Sequence, residues 1–204
     1  MSTKYQDDLA HIRQMMEKSS RFISLSGLSG VFAGVVALVG AAYAFFVMQN
    51  AGINYFDGNR NNFTSDIKIE LTIIAIVILM VAIILGYIFT AKKSKRKNLP
   101  MWDATSQRLL VTFAIPLIVG GLFCLALLYH NLFVLIAPTT LVFYGLALVS
   151  AERYTLSDIK YLGYCEIALG IASLFFLGWG FLFWVIGFGV LHIVYGIIMH
   201  KKYQ

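Results

Sequence analysis

The chain has 204 residues, of which 59% are hydrophobic and 13% charged, with a formal net charge of +6. A soluble domain of this size wears a polar coat, and a mean hydropathy of +0.78 leaves too few charges to make one. The composition excludes an ordinary globular protein, and two cysteines without CxxC spacing argue against a disulfide framework.

Residues 1–20 read as a short cytoplasmic amphipathic helix. Leu9, Ile12 and Met16 recur at helical spacing, and Asp7 and Asp8 stand where they cap and charge its start. Such a helix leads into the first span along the membrane surface, or offers a docking face to a cytosolic partner. His11 falls on its polar side.

Residues 21–204 form the predicted transmembrane domain. Apolar residues come in six blocks, at 22–48, 69–91, 109–129, 132–150, 159–177 and 180–199. Each is near the roughly twenty residues a helix needs to cross about 30 Å of hydrocarbon. Helices satisfy their own backbone in lipid, so the expected fold is all-α, six transmembrane helices in one bundle. The first block is too long for a signal peptide, and "AYA" at 42–44 comes too late for cleavage, so it reads as a retained anchor.

Within that block Ser26, Gly30 and Gly34 repeat every four residues, as do Ala33, Ala37 and Ala41. Small residues at this interval let a neighbouring helix approach the backbone closely. Ser24, Ser26 and Ser29 are expected to hydrogen-bond inside the bundle. The outer loop 49–68 is rich in asparagine, and its Asp57-Gly58 pair marks a turn, so the segment reads either as a small hairpin or as a mobile loop. Lys68 and Glu70 are expected at the outer membrane interface.

Pro116 in the third block and Pro138 in the fourth are each expected to break a backbone bond and kink a helix. The last four blocks lie so close that their connections, at Tyr129–Asn131 and Gly178–Gly180, must be tight turns. "LVFYGLALVSAERY" and "LHIVYGIIMHKKY" resemble each other, a hint that an in-out-in helix pair repeats in parallel.

The charges orient the chain. With both termini cytoplasmic, fourteen of the sixteen Lys and Arg residues lie inside and only Arg60 and Lys68 outside. The expected topology is therefore N-in/C-in, multi-pass, with the lipid bilayer as the main partner. Lys92, Lys93, Lys95, Arg96 and Lys97 are placed to hold anionic lipid headgroups. The positive charge is an orientation device, and no nucleic-acid partner is expected.

One acidic residue interrupts the fifth block, in "LGYCEIALG". Glu166 lies eight residues past Asp158, about 12 Å into the membrane. Counting outward from the Gly178–Gly180 turn brings His192 of the sixth block to almost the same depth. A lone carboxylate there is costly, whereas an acid and an imidazole sharing one proton leave no net charge in lipid. Ser29, Tyr144 and the Thr112 carbonyl freed by Pro116 belong to the same polar layer, and Tyr164 and Tyr195 offer hydroxyls. The pair reads either as interhelical glue or as a protonation or substrate site. Gly187 and Gly189 read as packing glycines beside it.

No HExxH, P-loop, GxSxG or CxxC motif occurs, and the four histidines are too scattered for a metal cluster. No metal and no cofactor is expected, although His192 alone leaves a single axial ligand open. "IRQMMEKSSRFISLSGLSGVFAG" and "WGFLFWVIGFGVLHIVYGIIMHKKY" resemble a group of small bacterial six-span membrane proteins with no assigned activity. That resemblance implies a location in the cell inner membrane and supplies no catalytic residues. Three functions follow. The first is a non-enzymatic bundle acting as a membrane partner or scaffold. The second is a small proton-linked transporter or channel using Glu166 and His192. The third is an intramembrane enzyme or cofactor carrier using His192.

Overall fold

The computed structural model describes residues 27–53, 63–98 and 100–203. The amphipathic segment 1–20, Ser24, Ser26 and the hairpin expected around Asp57-Gly58 lie outside the described residues. Regular structure among the described residues is all helical. In chain order the helices are α1 (Gly27–Asn50), α2 (Ser65–Arg96), α3 (Ala104–Tyr129), α4 (Ile136–Ala151), α5 (Ile159–Phe175) and α6 (Leu177–Tyr203).

Among the described residues, five helical stretches are long and apolar enough to cross a membrane: α1, α2, α3, α4 with its flanking 3-10 turns, and α6. The remaining helix, α5, has 17 residues and spans about 25 Å. The surface fits the same solvent. Ile69, Ile73, Ile76, Met80, Ile83 and Ile84 of α2 are all more than half exposed. Only Thr90 and Ser94 of that helix are buried. An apolar face of this extent is untenable in water and ordinary in hydrocarbon.

Small residues set the packing. A Cβ on Gly145 of α4 would sit 2.6 Å from the Gly163 carbonyl of α5, and one on Gly163 would sit 2.9 Å from the Gly145 carbonyl. The two backbones therefore touch, and α4 and α5 form the tightest pair. A second seam joins α1 to α6, where a Cβ on Gly34 would come within 2.6 Å of the Gly189 carbonyl. On Gly30 it would lie 3.3 Å from Gly196 Cα. The first half of α6 also packs on α4 and α5, so the two seams meet there. The helices α2 and α3 flank the group, α2 on α1 and α3 on α4.

Two ends of the bundle are tied by polar contacts. At one, Lys68 Nζ at the start of α2 donates to Asn131 Oδ1 in the α3–α4 turn at 2.9 Å. Met48, Ile53 and Phe63 form an apolar plug at that end, with Phe133 and Phe181 packed on it. At the other end Lys202 Nζ lies 2.6 Å from Asp158 Oδ2, and the Tyr203 hydroxyl donates to the same oxygen at 3.0 Å. Lys160 pairs with Glu152 nearby at 3.3 Å.

Two sequence expectations are corrected. Pro138 does not kink a helix. A 3-10 turn over Phe133–Leu135 precedes α4, which puts Pro138 in the first turn, where its missing N–H interrupts no internal bond. Pro116, by contrast, stands inside α3. The sixth predicted block, 180–199, is not one regular helix. It runs as a 3-10 turn Leu177–Trp179, an α-helical turn Gly180–Trp184, a π-helix Val185–Leu191 and an α-helix His192–Tyr203.

Candidate functional site

The buried residues of α5 are Ile159, Leu162, Gly163, Glu166, Gly170 and Ser173. Their spacing of three and four marks a single inward stripe. Glu166 stands in the middle of that stripe and is 0% exposed. His192 faces it from α6 at 5% exposure, with Nδ1 3.4 Å from Glu166 Oε1. Tyr144 of α4 completes the group, its hydroxyl 2.8 Å from His192 Nε2. One residue from each of three helices meets where the two packing seams converge.

The hydrogen bonds fix the ring. His192 Nδ1 lies 2.9 Å from the Gly187 carbonyl oxygen. A carbonyl only accepts, so Nδ1 carries a proton and donates it to Gly187. In the neutral ring Nε2 then accepts from the Tyr144 hydroxyl. When the ring is charged that bond reverses, Nε2 donating to the phenolic oxygen. Both nitrogens are thus engaged, and His192 presents no free nitrogen to a metal. Among the described residues, no three His, Cys, Asp or Glu side chains converge as metal ligands would.

A π-helix runs just ahead of His192, and there the His192 backbone N–H reaches the Gly189 carbonyl while its ring reaches the Gly187 carbonyl. Gly187 has a second task. A Cβ there would lie 2.5 Å from Glu166 Oε2 and 2.6 Å from Leu141 Cδ2. Gly187, which the sequence suggests is a packing glycine, leaves the space that the Glu166 carboxylate and the Leu141 side chain fill.

The carboxylate itself is unusual. It lies within ion-pair distance of His192, yet neither of its oxygens has a hydrogen-bond partner, because the nearby N–H is directed at Gly187. Buried carboxylates are ordinarily satisfied by several donors. No protein-family model, curated protein or solved structure matches this chain. The chemistry of the group follows from its own geometry. Glu166 and His192 hold no net charge when they carry one proton beyond the neutral ring and the carboxylate, on either partner.

The other expected members divide. Ser29 is half-buried beside Gly30, whose absent Cβ would lie 3.4 Å from the His192 carbonyl, but it makes no hydrogen bond to Glu166. Tyr164 is 52% exposed and does not belong to the polar layer. Tyr195 is a neighbour: it packs with Tyr144 against Leu148, Ile159 and Leu162. Reading the sequence missed Phe188, whose ring stacks 5.8 Å from that of His192 and lies 5.0 Å from that of Tyr144. Its position four residues before His192, on the same helical face, was the available signal. Outside the spans, the Lys202 ammonium, with the Tyr203 hydroxyl, holds Asp158 below the usual carboxylate range, partly opposed by burial.

Proposed function

We propose that this is a six-span, N-in/C-in protein of the bacterial inner membrane, and that Glu166 and His192 form a protonation site within a small proton-linked transporter or channel. The observation that carries the reading is the fully buried Glu166 carboxylate with no hydrogen bond to either oxygen, 3.4 Å from an imidazole. A pair kept only as glue gains by satisfying both oxygens, since each buried unpaired polar atom costs about 1–3 kcal/mol. A carboxylate left without fixed donors takes up and releases a proton with little rearrangement. Intramembrane acids serve this purpose in pumps and transporters.

The topology rests on the charge asymmetry of fourteen against two and on the location implied by the family resemblance. Lys92, Lys93, Lys95, Arg96 and Lys97 serve anionic headgroups on the cytoplasmic side. A second reading, a non-enzymatic scaffold or membrane partner, is favoured by the complete enclosure of Glu166.

Proteoliposomes with a pH-sensitive dye inside and an imposed potassium diffusion potential separate the two. Proton flux is expected from the wild type and is lost in Glu166→Gln, with abundance and thermal stability retained. Equal flux from both proteins rejects the transport reading. A Glu166→Gln protein that fails to accumulate identifies the pair as structural.

A further inference from the structure

The unpartnered buried polar atoms of the described residues are not scattered. Among the described residues, the buried side-chain oxygens and nitrogens without a hydrogen bond are Glu166 Oε1 and Oε2, Ser173 Oγ and the Tyr195 hydroxyl. All belong to the seam of α5 with α6. Ser173 lies seven residues past Glu166 along α5, about 10 Å further from Asp158. Tyr195 lies three residues past His192, about 4.5 Å toward Asp158. Helical side chains lean toward the N-terminus of their helix, which tips the Tyr195 ring back toward His192. The ring packs on the same Leu148, Ile159 and Leu162 surface as Tyr144.

The order of polar groups is then a line. At the bundle end stand Asp158 with Lys202 and Tyr203, and beside them Lys160 with Glu152. Next comes Tyr195, then Tyr144, His192 and Glu166 together, and finally Ser173. We propose that protons reach Glu166 and His192 from the Asp158 end, with Asp158 as the surface acceptor and the Tyr195 hydroxyl as the relay. This inference rests on the pair being a protonation site and adds its side of access.

The steps balance. Asp158 takes a proton from water, and a transient opening of the α5–α6 seam, which otherwise closes the Tyr195 oxygen to solvent, lets water molecules pass it to that phenolic oxygen. That oxygen receives one proton and gives up its own toward the His192–Glu166 pair, after which rotation of the hydroxyl resets it. No bond other than O–H or N–H is made or broken. Ser173 stands on the far side of Glu166 and takes no part in uptake from this end.

The test is hydrogen–deuterium exchange at the Glu166 carboxyl, followed by infrared spectroscopy of the full chain in lipid nanodiscs. The protonated carboxyl band is assigned by its loss in Glu166→Gln. Tyr195→Phe removes one unpartnered hydroxyl without changing shape. It is expected to keep the band and slow its exchange about tenfold or more. Asp158→Asn, a change at the bundle end, is expected to slow it as well. Tyr164→Phe, on the same seam helix but 52% exposed, is expected to exchange at the wild-type rate. A Tyr195→Phe protein that exchanges as fast as the wild type overturns the relay, as does slowing confined to Ser173→Ala. A wild type with no Glu166 carboxyl band at any pH at which it is folded refutes the protonation site, and the relay with it.

Discussion

At the scale of single residues, the site depends on an atom that is missing. Gly187 lets the Glu166 carboxylate approach the π-helix, and a methyl group there would press on Oε2 at 2.5 Å and on Leu141 Cδ2 at 2.6 Å. Leu141 and Glu166 are both fully buried, so neither can swing into open space. Overpacking a filled interior by one methyl costs about 1–3 kcal/mol. Gly187→Ala is therefore expected to lower the thermal unfolding midpoint in detergent. Glu166→Ala in the same chain removes one of the two clashing groups and should recover part of that loss. Strict additivity of the two substitutions would mean that the carboxylate does not occupy the space left by Gly187.

At the scale of helices, the seams decide which substitutions matter. A Cβ on Gly163 would meet the Gly145 carbonyl at 2.9 Å and Val149 Cγ2 at 2.8 Å, whereas nothing stands within 4 Å of a Cβ on Gly121. Gly163→Ala should thus destabilise the protein by driving α4 from α5. Gly121→Ala should be neutral or gain up to about 1 kcal/mol of helix propensity. Chemical denaturation in mixed micelles compares them directly, and equal effects would dissolve the distinction between seam and lipid face. These seams also show what the sequence could carry. Apolar blocks and small-residue spacing are composition, so helix existence and the Gly30 and Gly34 stripe are legible. The depth of Glu166 and His192 follows from counting residues outward from a turn. Direction is also readable: Tyr164 is two positions from Glu166, about 200° around the helix, and so faces away. The π-helix leaves no such trace. "VIGFGVL" satisfies α-helical spacing equally well, and only the backbone of Val185–Leu191 shows otherwise. Pro138 is ambiguous in the sequence for a related reason, since a proline marks a helix interior or a helix start depending on where the preceding 3-10 turn ends.

At the scale of the whole molecule, the two polar ties assign opposite faces. The Lys68–Asn131 bond places the start of α2 and the α3–α4 turn at one end, and the Asp158–Lys202 pair places the α4–α5 connection and the end of α6 at the other. The exposed basic residues Lys92, Lys95, Arg96 and Lys97 fall at the end of α2, opposite Lys68. If positive charge stays on the cytoplasmic side, Asn131 faces outward and Lys95 and Lys201 face inward. Cys124 and Cys165 can be replaced by serine, since they form no disulfide. Single cysteines at these three exposed positions then report sidedness in intact bacterial cells. Asn131→Cys should react with a membrane-impermeant maleimide from outside, while Lys95→Cys and Lys201→Cys should react only after lysis. The reverse pattern would invert the topology and move the Asp158 end, with its path to Glu166, to the outer face. Labelling of Lys95→Cys and Lys201→Cys from different sides would mean that an odd number of spans separates them, and α5, at 17 residues, would be the helix that fails to cross.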